Sequence, residues 1–100
     1  MRIGSYTSGT MPALISLASN KLRLKKGLPL QVWDTEGKYV LLCPYFDEYG
    51  HGNSYQEALD DLCLSIEGYY FSLKKRQRKL GKYMAEIWKR MQESLEEIGT

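Results

Sequence analysis

One hundred residues suit a single domain with one modest core and exclude two. An apolar fraction of 43% and a charged fraction of 26% are those of a soluble globular chain. The formal net charge of +2 is too small to argue for nucleic-acid binding alone, and no apolar run approaches the ~18–20 residues that cross a bilayer.

Residues 1–12 are rich in Gly, Ser and Thr and are expected to form a flexible arm. The apolar stretch that follows, Ala13 to Ala18, is shorter than the roughly 7–15 residues of a signal-peptide centre, which implies a cytoplasmic chain. Cys43 and Cys63 lack a CxxC partner and are expected there as reduced thiols. In ALISLASNKLRLKK, residues 13–26, two signals conflict. Pro12 before it and Gly27 after it suit a short helix, whereas the strict alternation from Lys21 to Lys25 argues for a strand in the second half.

Leu28, Leu30 and Val32 alternate with Pro29, Gln31 and Trp33, which predicts a strand buried on one side. Asp34 to Lys38 reads as a turn, with Gly37 free to take a positive φ. Tyr39 to Cys43 is apolar on both faces, as in a central strand or one whose second face meets another element or subunit. Pro44 closes that strand. Glu48 to Gly52 predicts a third strand with Tyr49 and His51 on one face, its glycines accommodating the turn of the chain.

Ser54-Tyr55-Gln56-Glu57 is an S-x-x-E capping box. Behind it Ala58, Leu59, Leu62, Cys63, Ile66, Tyr69, Tyr70 and Leu73 recur at helical spacing, predicting a helix over 54–73 with one buried stripe. A second stripe, Leu80, Met84, Ile87, Trp88, Met91, Leu95 and Ile98, predicts a C-terminal helical extension over 74–100. Gly81 and the basic run before it predict a kink or break near 74–82. The fold class is therefore α+β: three to four antiparallel strands packed on a helix, with an additional C-terminal amphipathic helix.

Three kinds of chemistry are conceivable. Thiol catalysis by Cys43 with His51 as base requires a lowered thiol pKa, but a cysteine in an apolar strand is raised by burial and inert. One His and two Cys show no metal-ligand spacing, and Gly50-His51-Gly52 lacks the flanks of a phosphate loop; neither metal nor cofactor is expected, and the chain reads as no enzyme. The carboxylates Asp34, Asp47, Glu48, Glu57, Asp60 and Asp61 form a nuclease centre only if they converge. Glu57 has a capping role, and Asp60 and Asp61 suit the helix dipole, so the structural reading is the better one.

Lys74, Lys75, Arg76, Arg78 and Lys79 read first as a solvated connector, and second as a salt-sensitive contact to phosphates, without interleaved aromatics for stacking. Tyr69, Tyr70, Trp88 and Met91 offer more apolar surface than one small core uses, which predicts self-association.

The segment from Tyr39 to Phe46, then Gly52-Asn53-Ser54, then Glu57-Ala58-Leu59 with Leu62 and Ile66, resembles the HicB-like antitoxin family. The resemblance covers about residues 28 to 73, within a domain drawn at 13–73. It implies a partial ribonuclease-H-like β-β-β-α fold without catalytic carboxylates. It further implies a protein that binds and neutralises a small RNA-cleaving toxin, as a dimer or larger assembly. Members commonly add a C-terminal helix-turn-helix or ribbon-helix-helix, and the 27 residues after 73 show no such turn. Asp47, Glu48, Asp60 and Asp61 are the acids expected to complement a basic toxin surface, speeding encounter more than adding affinity.

Overall fold

The computed structural model describes residues 2–3 and 12–99. In chain order these form β1 (Arg2–Ile3), β2 (Ala13–Leu14), β3 (Leu22–Leu24), β4 (Leu28–Pro29), β5 (Gln31–Thr35), β6 (Lys38–Cys43), β7 (Glu48–Gly52), α1 (Tyr55–Lys75), α2 (Lys82–Ser94) and β8 (Leu95–Glu97). The class is α+β, with small antiparallel sheets and two helices. β1, β5, β6 and β7 are neighbours in that order in one antiparallel sheet. Two short ladders flank it, β2 with β4 and β3 with β8.

The β5–β6 hairpin follows from its turn. Glu36 and Gly37 stand at φ 52 and 77, so both central residues lie in the left-handed region that a tight two-residue hairpin demands. Thr35 then pairs with Lys38, and the register places Val32 opposite Leu41 and Leu41 opposite Gly50. Strand alternation puts Val32, Leu41 and Cys43 on the inner face, all fully buried. Trp33, Val40 and His51 share one rung of the outer face, and Gln31, Leu42 and Tyr49 another. Trp33, Val40 and Leu42 are half-buried there, and Tyr49 and His51 are exposed.

α1 lies on the inner face through Ala58, Leu62, Ile66, Tyr70 and Leu73. Removing a fully buried aliphatic side chain of this kind from water stabilises by roughly 1.5–3 kcal/mol. At its start the Ser54 hydroxyl accepts from the Glu57 amide at 3.1 Å. The Glu57 carboxylate reaches back to the Asn53 amide at 2.9 Å, one residue earlier than a reciprocal capping box places it.

The glycines of β7 do not serve a turn, as the sequence reading held. A Cβ on Gly50 would stand 2.2 Å from the Leu62 amide nitrogen and 2.4 Å from the Ala58 carbonyl. One on Gly52 would stand 2.5 Å from Glu57 Cβ. Both residues lie in the strand, and their missing side chains let the backbones of α1 and β7 touch.

Three further expectations change and two hold. Arg2–Ile3 is a strand, pairing with Asp34 and Trp33, where a flexible arm was expected; residues 4–11 of that arm lie outside the described residues. In 13–26 both β2 and β3 are strands, so the strand alternative holds, with an irregular stretch between them. The single strand expected from Leu28 is divided at Leu30, whose amide donates to the Pro12 carbonyl at 3.0 Å. The chain does break between α1 and α2, where Gly81 caps α2 without a side-chain hydrogen bond. However, the helical extension stops at Ser94, and Leu95–Glu97 runs as β8 against β3, pairing Leu22 with Glu97 and Leu24 with Leu95. One continuous core joins Leu14 through Leu95, so α2 and β8 share it with the sheet and α1.

Candidate functional site

Cys43 pairs with Glu48 and Val40 with His51, so the cysteine and histidine sit on rungs three residues apart. An odd separation on a pleated strand turns the two side chains to opposite faces. Cys43 is buried inward, and burial pushes its thiol above the ordinary range. His51 is exposed, with its ring 6.3 Å from that of Tyr49. The thiol and imidazole are not brought together, and both cysteines are free. Among the described residues no three His, Cys, Asp or Glu side chains converge as a metal site.

The four acids expected to act together are divided by α1. Asp47, at φ 53 in the β6–β7 turn, receives the Tyr83 hydroxyl. That hydrogen bond raises the Tyr83 phenol to about 12. Beside it, burial first and the Asp47 charge second raise the Glu48 carboxyl. Asp61 lies nearer the other end of β7 and accepts the His51 amide at 3.0 Å. It thereby covers one backbone donor of the sheet edge, a position that otherwise invites another strand. Asp60 faces away from both, accepting Gln56 Nε2 at 2.8 Å. Tyr69, near Asp47 and Glu48, is eight residues beyond Asp61, or about 12 Å along a helix. The four carboxylates therefore do not form one patch. Asp34 stands in β5, paired with Tyr39 and Arg2, apart from all of them.

Lys74 and Lys75 end α1, and Arg76, Gln77, Arg78 and Lys79 follow it; all six are exposed around a shallow dish of about 430 Å³. Lys74 is paired with Glu97. Among the described residues Lys75, Arg78 and Lys79 have no ion pair.

The residues expected to drive self-association are used inside the domain instead. Met91 is fully buried, and Tyr70 packs on Trp88 with ring centroids 5.1 Å apart, both of them buried. Tyr69 is half-buried, and its hydroxyl reaches Met84 Sδ at 3.0 Å. The physical reason is β8. Its Glu97 carboxylate accepts the Tyr70 hydroxyl at 3.0 Å, closing the space beside the helices that the sequence reading left open. Burial, with that hydrogen bond, raises the Tyr70 phenol to about 12. The Lys74 and Tyr70 hydrogen bonds lower the Glu97 carboxyl.

Two surfaces escaped the sequence reading. One is the open face of the four-stranded sheet, foreshadowed by the two-sided apolar run of β6. The other is a groove where the irregular segment 15–19 crosses α1. Leu17 is buried there while Ile15 is 78% exposed, and across the groove Leu64 is 70% exposed. The signal in the sequence was slight: Leu64 directly follows Leu62 and Cys63 and so falls off the buried stripe. A third cluster is structural: Lys26 Nζ and Arg90 Cζ lie 5.1 Å and 5.5 Å from the Tyr45 ring centre, and the Tyr45 hydroxyl reaches Glu93 at 3.1 Å.

No family model, no curated protein and no solved structure matches this chain.

Proposed function

We propose that this chain is a non-enzymatic binding protein of the HicB-like antitoxin kind, which holds a small RNA-cleaving toxin inactive. The observation that carries the reading is the consecutive β5–β6–β7–α1 unit, with the Gly52-Asn53-Ser54 and Glu57-Ala58-Leu59 segments at the sheet-to-helix junction that the resemblance rests on. The placement of Cys43 and His51 on opposite faces supports a binding rather than a thiol-catalytic role. The protein would act in the cytoplasm with reduced cysteines. A homo-oligomer belongs to the same reading, with its contact at surfaces other than the buried Tyr70, Trp88 and Met91. The outer sheet face, with Tyr49 exposed and Trp33, Val40 and Leu42 half-buried, is one apolar surface that would serve it.

The test is growth rescue. The chain is co-expressed with the protein encoded by the adjacent reading frame, which is also expressed alone to see whether it arrests growth. Rescue together with a co-purifying complex supports the reading; an arrest that persists, or a neighbour that arrests nothing, sinks it.

A second reading is favoured by the α1–α2 turn, where Lys75, Arg78 and Lys79 stand exposed without an ion pair. Such a turn suits nucleic-acid phosphates, with affinity falling steeply as salt rises. Binding of duplex DNA or RNA that is indifferent to salt, or to replacement of these cations by Gln, counts against it.

A further inference from the structure

The groove between segment 15–19 and α1 combines three properties found together nowhere else in the described residues. First, it is loosely roofed. The segment is held to α1 by the Ser19 hydroxyl on Glu67 and by a long contact of 3.9 Å from the Cys63 thiol to the Ser16 carbonyl. On either side of Cys63 lie open cavities of about 250 Å³ and 210 Å³, which share Ala18, Asp60 and Cys63 as walls. Each greatly exceeds the ~30 Å³ that one water occupies in the liquid.

Second, its lips are apolar. Ile15 and Leu64 are the most exposed large hydrophobic residues of the described chain, at 78% and 70%, and they border these same two cavities. A single exposed Leu needs no explanation, but Leu64 on the first cavity and Ile15 on the second, which share a wall, make a patch of the kind partners use.

Third, the surroundings are acidic. From residue 56 to 67, α1 carries Glu57, Asp60, Asp61 and Glu67 and no Lys or Arg. The helix dipole accounts for acids in the first turn; its effect falls off there and does not explain Glu67, three turns further on. Asp60 and Glu67 both line the first cavity. The two are seven residues apart, about two turns, so both carboxylates flank the same stripe of helix.

We infer that this groove is the docking site for a basic amphipathic helix of a partner protein, whose apolar side chains enter the two cavities between Ile15 and Leu64 and whose Lys or Arg side chains meet Asp60 and Glu67. The charge complementarity selects the occupant. A nucleic acid or an anionic membrane is repelled by these carboxylates, and a second copy meeting groove to groove sets like charges against each other. The inference deepens the protein-binding reading above and rests on it for the partner's identity, although the groove can be tested without that partner.

The probe is a synthetic leucine–lysine amphipathic helix of about four turns, titrated into the ¹⁵N-labelled full chain. A leucine–glutamate peptide of the same pattern serves as control. Amide shifts are expected over residues 15–19 and 60–67 with the lysine peptide alone. The double variant I15S/L64S is expected to bind about tenfold more weakly, and Asp60→Asn several-fold more weakly. Both positions are solvent-facing, so thermal unfolding should change little between parent and variant. Shifts confined to other surfaces, equal binding by the variants, or equal binding of the glutamate peptide overturn the proposal. So does a dimer of the free chain that I15S/L64S dissolves, since the groove would then belong to a second copy.

The growth-rescue experiment separates the two readings. Rescue that survives I15S/L64S refutes the groove and leaves the antitoxin reading intact. Specific peptide binding with no rescue by the parent chain supports the groove and refutes the antitoxin reading.

Discussion

The two sides of α1 are covered in opposite ways. On one side β7 presses so closely that Gly50 and Gly52 leave no room for a methyl group, and helix and strand meet backbone to backbone. On the other side the irregular segment 15–19 spans the helix on a few contacts and leaves open cavities. The difference arises from repeat against irregularity. A strand of period two can hold a glycine at each inward position over several residues, so close approach is sustained. An irregular segment buries single anchors, here Leu17, and cannot seal what lies around them. Rigidity on the first side positions the second, so the helix is fixed by β7 and free to present Asp60, Leu64 and Glu67.

The sharpest way to break the tight side is Gly50→Ala. Its methyl group meets backbone atoms that cannot swing aside, and the expected loss is about 3 kcal/mol or more, read by urea unfolding. A variant as stable as the parent would mean that α1 is not seated as described. Next in size is Ser54→Ala, which removes the hydroxyl that accepts the Glu57 amide; about 1 kcal/mol is expected, again in urea.

On the loose side, Ser19→Ala removes a hydroxyl that accepts the Lys21 amide at 2.9 Å and the Leu22 amide at 3.2 Å and donates to Glu67. Global stability should fall by about 1 kcal/mol or less, while amide exchange over 16–22 quickens well before that of α1. Equal quickening in α1 would erase the contrast between the two sides.

The smallest effect is one of pH. Burial and Asp47 hold the Glu48 carboxyl above its ordinary range, so the native state binds its proton more tightly than the unfolded chain. Ionisation of Glu48 therefore costs stability as pH rises through its native pKa. Glu48→Gln should be the more stable protein at neutral pH. The difference should shrink in acid, below the ordinary carboxylate range, where Glu48 is protonated in both states. A variant less stable than the parent at pH 7 would reverse the sign.

Much of this architecture was legible in the sequence because its signals are local. Gly37 marks the turn within residues 34–38, Ser54 and Glu57 start α1, and Gly81 marks the break before α2. What could not be read is what depends on residues far apart. Leu95 continues the helical spacing of Ile87, Trp88 and Met91, and only its pairing with Leu24 makes it a strand. The burial of Tyr70 and Trp88 follows from that same return of the chain, which is why they looked available for self-association. The glycines of β7 were noticed, but their purpose lies in Ala58 and Leu62, across a junction whose geometry no spacing discloses. Of the candidate acids, the sequence marked all four yet could not show that α1 and its neighbours would send Asp47, Asp60 and Asp61 to three different places.

The β3–β8 ladder also sets an order in time. Leu22 and Leu24 emerge from the ribosome about seventy residues before Leu95, so β3 has no partner during most of synthesis. The apolar edge around Leu22 stays open until residues 95–97 are made and reach it. The β3–β8 pairing is a long-range closure, the slow kind of contact. Any chain that stops before Leu95 keeps an unpaired strand, and nascent or truncated forms become natural clients for chaperones and proteases.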